Sequence, residues 1–130
     1  MELRGQLAAI AVSIGLVSAC TDSTSPLFQA LLQRPNIAAG ASHACRLADN
    51  GLASCWGDNS HGELGDGSET SSANPIAVSG GLRFTAIAAG AARTCGIVES
   101  GAAYCWGTND HGQLGDGTTT PRLAPTPVIQ

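Results

Sequence analysis

The sequence predicts an all-β fold made of two copies of one four-stranded unit. Three observations carry this. The stretch from Ile37 returns from Ile87 at a constant offset of 50 residues with no insertion, and about half the aligned positions are identical. The chain holds 17 glycines with only 12% charged residues, which suits a turn-rich β protein and argues against a disordered polyelectrolyte. A period near 50 belongs to propellers and solenoids, in which one unit cannot bury both of its faces alone.

Before the repeats lies an address. Residues 7–17 are an apolar run of eleven, preceded by Arg4 and followed by small residues. A bilayer span needs about 20 such residues, so the run reads as the h-region of a secretory signal peptide covering residues 1–19. It ends in Leu16-Val17-Ser18-Ala19-Cys20, which resembles the bacterial lipobox. That resemblance implies lipidation of Cys20 and a membrane anchor. Residues 20–36 then form a tether, polar at first and ending in a short apolar stretch.

The repeats occupy residues 37–86 and 87–130, the second with a possible start of a third. In the first, strands are expected at 37–39, 43–47, 53–56 and 76–78. In the second they are expected at 84–89, 94–98, 103–106 and 127–129. Asp49-Asn50-Gly51 and Glu99-Ser100-Gly101 separate apolar runs and read as three-residue hairpin loops with a left-handed glycine. The strands read as apolar on both faces, as for sheets sandwiched between neighbours. The Gly-rich stretch 57–67 has no strand or helix period and reads as a structured loop. Four short strands per unit make one propeller blade.

Four of the five cysteines form two pairs at spacing ten, Cys45/Cys55 and Cys95/Cys105. If Ala48 and Leu52 close the hairpin, Cys45 and Cys55 fall opposite each other at a non-hydrogen-bonded position. There the Cα atoms lie ~4.5 Å apart, within reach of a disulfide. Loops of this size are worth roughly 2–3 kcal/mol on the chain-entropy model. Export would supply the oxidising compartment. Zinc sites space their cysteines two to four residues apart and redox pairs are Cys-x-x-Cys, so neither a metal nor a cofactor is expected.

The run Cys55-Trp56-Gly57-Asp58-Asn59-Ser60-His61-Gly62-Glu63-Leu64-Gly65-Asp66-Gly67 recurs from Cys105 as Trp106, Gly107, Asn109, His111, Gly112, Leu114, Gly115, Asp116 and Gly117. It resembles the repeat of the regulator of chromosome condensation family, from Ile37 to the end of the chain. The resemblance implies a seven-bladed propeller, of which two blades are an incomplete ring. It also implies loop-mediated binding of proteins, as in secreted relatives that inhibit other proteins. Guanine-nucleotide exchange on a small GTPase is a second implied activity, carried by fold alone.

The remaining polar residues give no catalytic set. His61 and His111 recur with the repeat, where a catalytic group would be unique, and are expected to pack within their loops. His43 is replaced by Arg93 and is expected to matter less. Asp66 and Asp116 should bond the amides of their own turns, and the run lacks the dense Asp spacing of calcium loops. Asp49 and Glu99 make no glycosidase pair. Hydrolase, phosphate-loop and zinc-protease signatures are missing, so a propeller-scaffold enzyme has no residues to rest on. Trp56 and Trp106 are expected between blades. At net charge −4, with six scattered Lys and Arg, the chain has no footprint for nucleic acid. The reading is a non-catalytic interaction module at the bacterial envelope. Its outer faces should leave Ile97 and Leu47 partly wet, so further blades or self-association are expected.

Overall fold

The computed structural model describes residues 36–130, which form one compact unit. The signal peptide, Cys20 and the tether up to residue 35 lie outside the described residues. Eight strands follow in order: β1 Ile37–Ala39, β2 His43–Leu47, β3 Ala53–Gly57, β4 Ser72–Ala77, β5 Phe84–Ala89, β6 Arg93–Val98, β7 Ala103–Gly107 and β8 Arg122–Pro127. They make two four-stranded antiparallel meanders, β1-β2-β3-β4 and β5-β6-β7-β8. These are two blades, and they do not close a ring.

The inner hairpins follow from their turns. Gly51 and Gly101 take φ of 86° and 92°, and the amide of Gly51 bonds the carbonyl of Ala48. The Ala48 amide bonds Leu52, which sets Cys45 opposite Cys55. The same register sets Cys95 opposite Cys105. Both pairs are bridged, with Cα–Cα distances of 4.0 and 4.1 Å.

The outer strands differ from expectation. β4 begins at Ser72 rather than 76, and β8 spans Arg122–Pro127 rather than 127–129. A register shift between Cys55 and Gly57 lets β3 reach Ser72, and the equivalent shift lets β7 reach Arg122. Pro75 and Pro125 sit within these strands. An edge strand tolerates proline because its outward N–H has no ladder partner to lose.

The faces are not uniformly apolar either. β2 alternates: His43, Cys45 and Leu47 are buried, while Arg46 is exposed. Its buried face meets the second blade. There Leu47 and Ala53 join Phe84 and Trp106 in one core cluster, edged by Val98 and Tyr104. Leu47 is therefore dry, at 8% exposure, whereas its repeat-mate Ile97 is 45% exposed. Leu47 points toward a following blade that is present, and Ile97 points outward.

Candidate functional site

The recurring residues build two loops and the seam between the blades. Asn59 and Asn109 are fully buried and hold each long loop from within. The amide of Asn59 donates to Asp66 Oδ1 and to the carbonyls of Ser68 and Thr70, while its Oδ1 accepts from the Leu64 amide. Asn109 repeats the set with Asp116, Thr118, Thr120 and Leu114. One side chain thus satisfies several backbone groups that no strand would pair. Asp66 and Asp116 accept from the amides of Ser68 and Thr118. Burial works against ionising Asp66, but the Ser68 amide and hydroxyl outweigh it and lower its pKa. The Thr118 hydroxyl and Arg122 guanidinium hold Asp116 further below the usual carboxylate range.

The seam centres on Trp106. Its side chain is fully buried, its ring lies 5.8 Å from that of Phe84, and its Nε1–H donates to the carbonyl of Glu63 at 2.8 Å. A Cβ at Gly65 would come within 2.6 Å of the indole nitrogen. Gly65 is also at φ 70°, so glycine is required there for close approach and for backbone conformation. Trp56, the repeat-mate, is only half-buried, on the face of the first blade turned away from the second.

Thr94 closes the seam beside the indole. Its hydroxyl donates to the Glu63 carbonyl at 2.9 Å and lies 2.8 Å from His43 Nε2. Since the hydroxyl proton is committed to Glu63, His43 must carry its proton on Nε2. Its Nδ1 is then a buried acceptor with no donor. His43 was expected to be minor; it is instead buried against the next blade. Its substitution by Arg93 reflects position, since Arg93 lies on the outer side, only half-buried.

Burial lowers the pKa of His43 below its ordinary 6.5, and the charges of Glu63 and Asp58 pull it partly back. The unfolded chain therefore binds this proton before the folded one does. Stability is full above the ordinary histidine pKa and falls as pH drops below it, by at most ~1.4 kcal/mol per pH unit. Urea midpoints from pH 7.5 to 5 should show this fall, and His43→Gln should flatten it. An unchanged slope in the variant would assign the effect elsewhere.

His61 and His111 correct another expectation. Both are exposed rather than packed in their loops. What holds the turn is the residue two positions on, because the amides of His61 and His111 donate to Glu63 Oε1 and Gln113 Oε1, each at 2.7 Å. Glu63 is fully buried. Together with Asp58 and His61 it forms a group whose ligating atoms all lie within 4.8 Å of one another. The second repeat has Thr108 and Gln113 at the matching positions. The signal was present in the three mismatches of the run, Asp58/Thr108, Ser60/Asp110 and Glu63/Gln113, two of which place a charge in the first loop alone.

The Cys45–Cys55 bridge lies fully buried under the second blade, with Leu64 alongside. The Cys95–Cys105 bridge lies on the outward side of the second blade. That side carries an apolar hollow of about 220 Å³ lined by Ala86, Ala88, Gly96, Ile97 and Ala103. Replacing Cys45 and Cys55 together by Ala should lower stability by at least the ~2–3 kcal/mol of loop closure, since the packed sulfur is lost as well. The outward pair should cost less, and equal losses in guanidinium melts would contradict this ranking.

Comparison with known proteins agrees with this architecture. The family model described as "Regulator of chromosome condensation (RCC1) repeat" matches residues 50–97 and 100–130, and a second model of that description matches 36–63 and 84–113. The E3 ubiquitin-protein ligase HERC2 of Homo sapiens is 40% identical over 45 residues, which are 35% of this chain and 1% of that protein. Among solved structures, Prp20p of Saccharomyces cerevisiae superposes with a TM-score of 0.66 at 23% identity, over 72% of this chain and 25% of that one. Human WBSCR16 gives the same TM-score and identity, over 72% of this chain and 24% of its own. The chain thus spans about a quarter of the length of these structural relatives. With two matched repeats covering more than half its length, folded as two blades joined by a Trp-centred seam, the chain belongs to the regulator of chromosome condensation repeat family.

Proposed function

We propose that the chain is a non-catalytic protein-interaction module, exported and held at a bacterial envelope by a lipid on Cys20. The observation that carries the interaction reading is where the recurring polar groups go. Asn59, Asn109, Asp66 and Asp116 are spent on stiffening loops, and the loop tips around Glu69 and Thr119 stand exposed on that rigid base. Rigidly held exposed loops are where scaffolds of this kind make contacts. The structure of Prp20p is described together with its binding to Gsp1p and histones, which supports a protein partner of some kind here. The match to HERC2 is about one blade long and carries no ligase chemistry over to this chain. Export is supported by the two bridges, which persist in oxidising compartments, and by the apolar run before Cys20.

Two experiments test the two halves. Metabolic labelling with a fatty-acid analogue should mark the parent and leave Cys20→Ser unlabelled. Equal labelling of both sinks the anchor. A photo-crosslinking residue at Glu69 or Thr119 should trap a discrete protein adduct in envelope preparations, while one at buried Leu114 should not. Failure of all exposed loop positions to trap an adduct would overturn the interaction reading.

A further inference from the structure

We propose that the long loop of the first blade is a divalent transition-metal site, with His61 Nδ1 and the carboxylates of Asp58 and Glu63 as its protein ligands and Zn²⁺ as the ion it suits. Glu63 is the residue that points to an ion. Its side chain is fully buried, and only Oε1 has a hydrogen-bond donor, the His61 amide. Oε2 is buried with no hydrogen-bond partner. An unpaired buried carboxylate oxygen is costly, because desolvation is not repaid by any donor. The nearest group of opposite potential charge is His61 Nδ1, 3.7 Å away. Asp58 completes the group, its ligating oxygen within 4.8 Å of both others.

The second blade supplies an internal control. Gln113 performs the same structural task as Glu63, accepting the amide of His111 through Oε1 at the same 2.7 Å. The loop therefore does not need a carboxylate at this position to fold. Thr108 replaces Asp58 and Asp110 replaces Ser60, while His111 is kept. The two charges converge on one histidine nitrogen. Asp58 also accepts from the Ser60 amide and the Ser60 and Ser71 hydroxyls, but Glu63 Oε2 accepts nothing. A structural demand would repeat with the blade, and this pair of charges does not.

The donor set selects the ion. One imidazole nitrogen with two carboxylates suits Zn²⁺ or its neighbours in the transition series. Calcium takes oxygen ligands, and an imidazole nitrogen is not among them. Bonds of about 2.0–2.2 Å draw three ligands closer than 4.8 Å, so the loop must tighten slightly, and it has the freedom. His61 is 55% exposed and can swing toward Glu63. Ser60 Oγ now bridges Asp58 Oδ2 and His61 Nδ1 at 3.0 and 3.1 Å. The hydroxyl proton goes to Asp58, so His61 Nδ1 carries the proton it gives to Ser60 Oγ. Ion binding moves that proton to Nε2, and rotation of the exposed Ser60 side chain frees both ligand atoms. Water would fill the remaining coordination positions.

The test uses the full chain without an affinity tag and with Cys20→Ser, so that no free thiol competes. Titration with Co²⁺, read by its visible absorption, and displacement by Zn²⁺ should give one equivalent. Glu63→Gln and Asp58→Thr each install the residue of the second blade, so folding should persist. Each should weaken Zn²⁺ binding by at least ~100-fold, beyond the 10–100-fold typical of mere outer-shell partners. The reciprocal variant, Thr108→Asp with Gln113→Glu, should create a second equivalent. The proposal is overturned if binding fails to saturate below millimolar ion, if either single variant binds as tightly as its parent, or if the reciprocal variant still binds only one.

Discussion

Trp106→Ala is expected to cost about 3–5 kcal/mol, the range for removing a large buried aromatic side chain. In a unit of this size that lowers the melting temperature by roughly 12 °C or more. The effect should be large because one side chain serves three purposes. It fills the space between Leu47, Ala53 and Phe84, it covers the bare backbone of Gly65, and its Nε1–H satisfies the Glu63 carbonyl. Thr94 still donates to that carbonyl in the variant, so the loss is mainly one of packing. Trp106→Phe should therefore recover more than half of it. Trp56→Ala is the matched control, since the same residue at the same repeat position is only half-buried, and it should cost well under half as much. Comparable losses at Trp106 and Trp56 would show that the seam is not what holds the blades together.

That contrast also explains what could be read from sequence. The inner strands were legible because their information is local. Gly51 and Gly101 set the hairpins, the hairpins set the register, and the register sets the cysteine pairs. β4 and β8 were misplaced because Pro75 and Pro125 look like breakers, and only their edge position makes them harmless. Which face of a blade is buried was not legible, because a repeat carries the same pattern whether or not a neighbour covers it. Leu47 and Ile97 are both aliphatic at matching positions, yet one is dry and the other wet. His43 was undervalued for the same reason, since its partner Thr94 lies 51 positions away in the next blade. In the loop, the histidines recur, while the informative residues, Asp58 and Glu63, are among the three that do not. Matching columns of a repeat report the scaffold, and mismatched polar columns report what one unit does alone.

Residues 36–130, produced without the preceding segment, are expected to associate head to tail rather than remain monomeric. The second blade ends in an outward face where Ile97, Ala103 and Gly115 occupy the places that Leu47, Ala53 and Gly65 occupy inside the seam. The first blade begins with Trp56 where the second has Trp106. Trp56 of a second copy can therefore seat over Gly115 and donate to the Gln113 carbonyl, repeating the internal contact. Ala44 stands in place of Thr94 and Arg46 in place of Gly96, so the copied seam lacks one hydrogen bond and carries an extra bulky charge. It should be weaker than the internal seam and form with rising concentration. Such a contact is heterologous and either closes a ring or grows. Three or four copies would bring six or eight blades, within the 4–8 that propellers use. Light scattering should show mass rising with concentration toward that range, with a melting temperature that rises in step. Ile97→Asp blocks one end and Trp56→Ala blocks the other, so each variant alone should be a monomer. Mixed together they retain one complementary pair of ends, and the mixture should stop at a dimer. A parent that stays monomeric with a concentration-independent midpoint would refute the association, and a mixture that remains monomeric would refute its head-to-tail geometry.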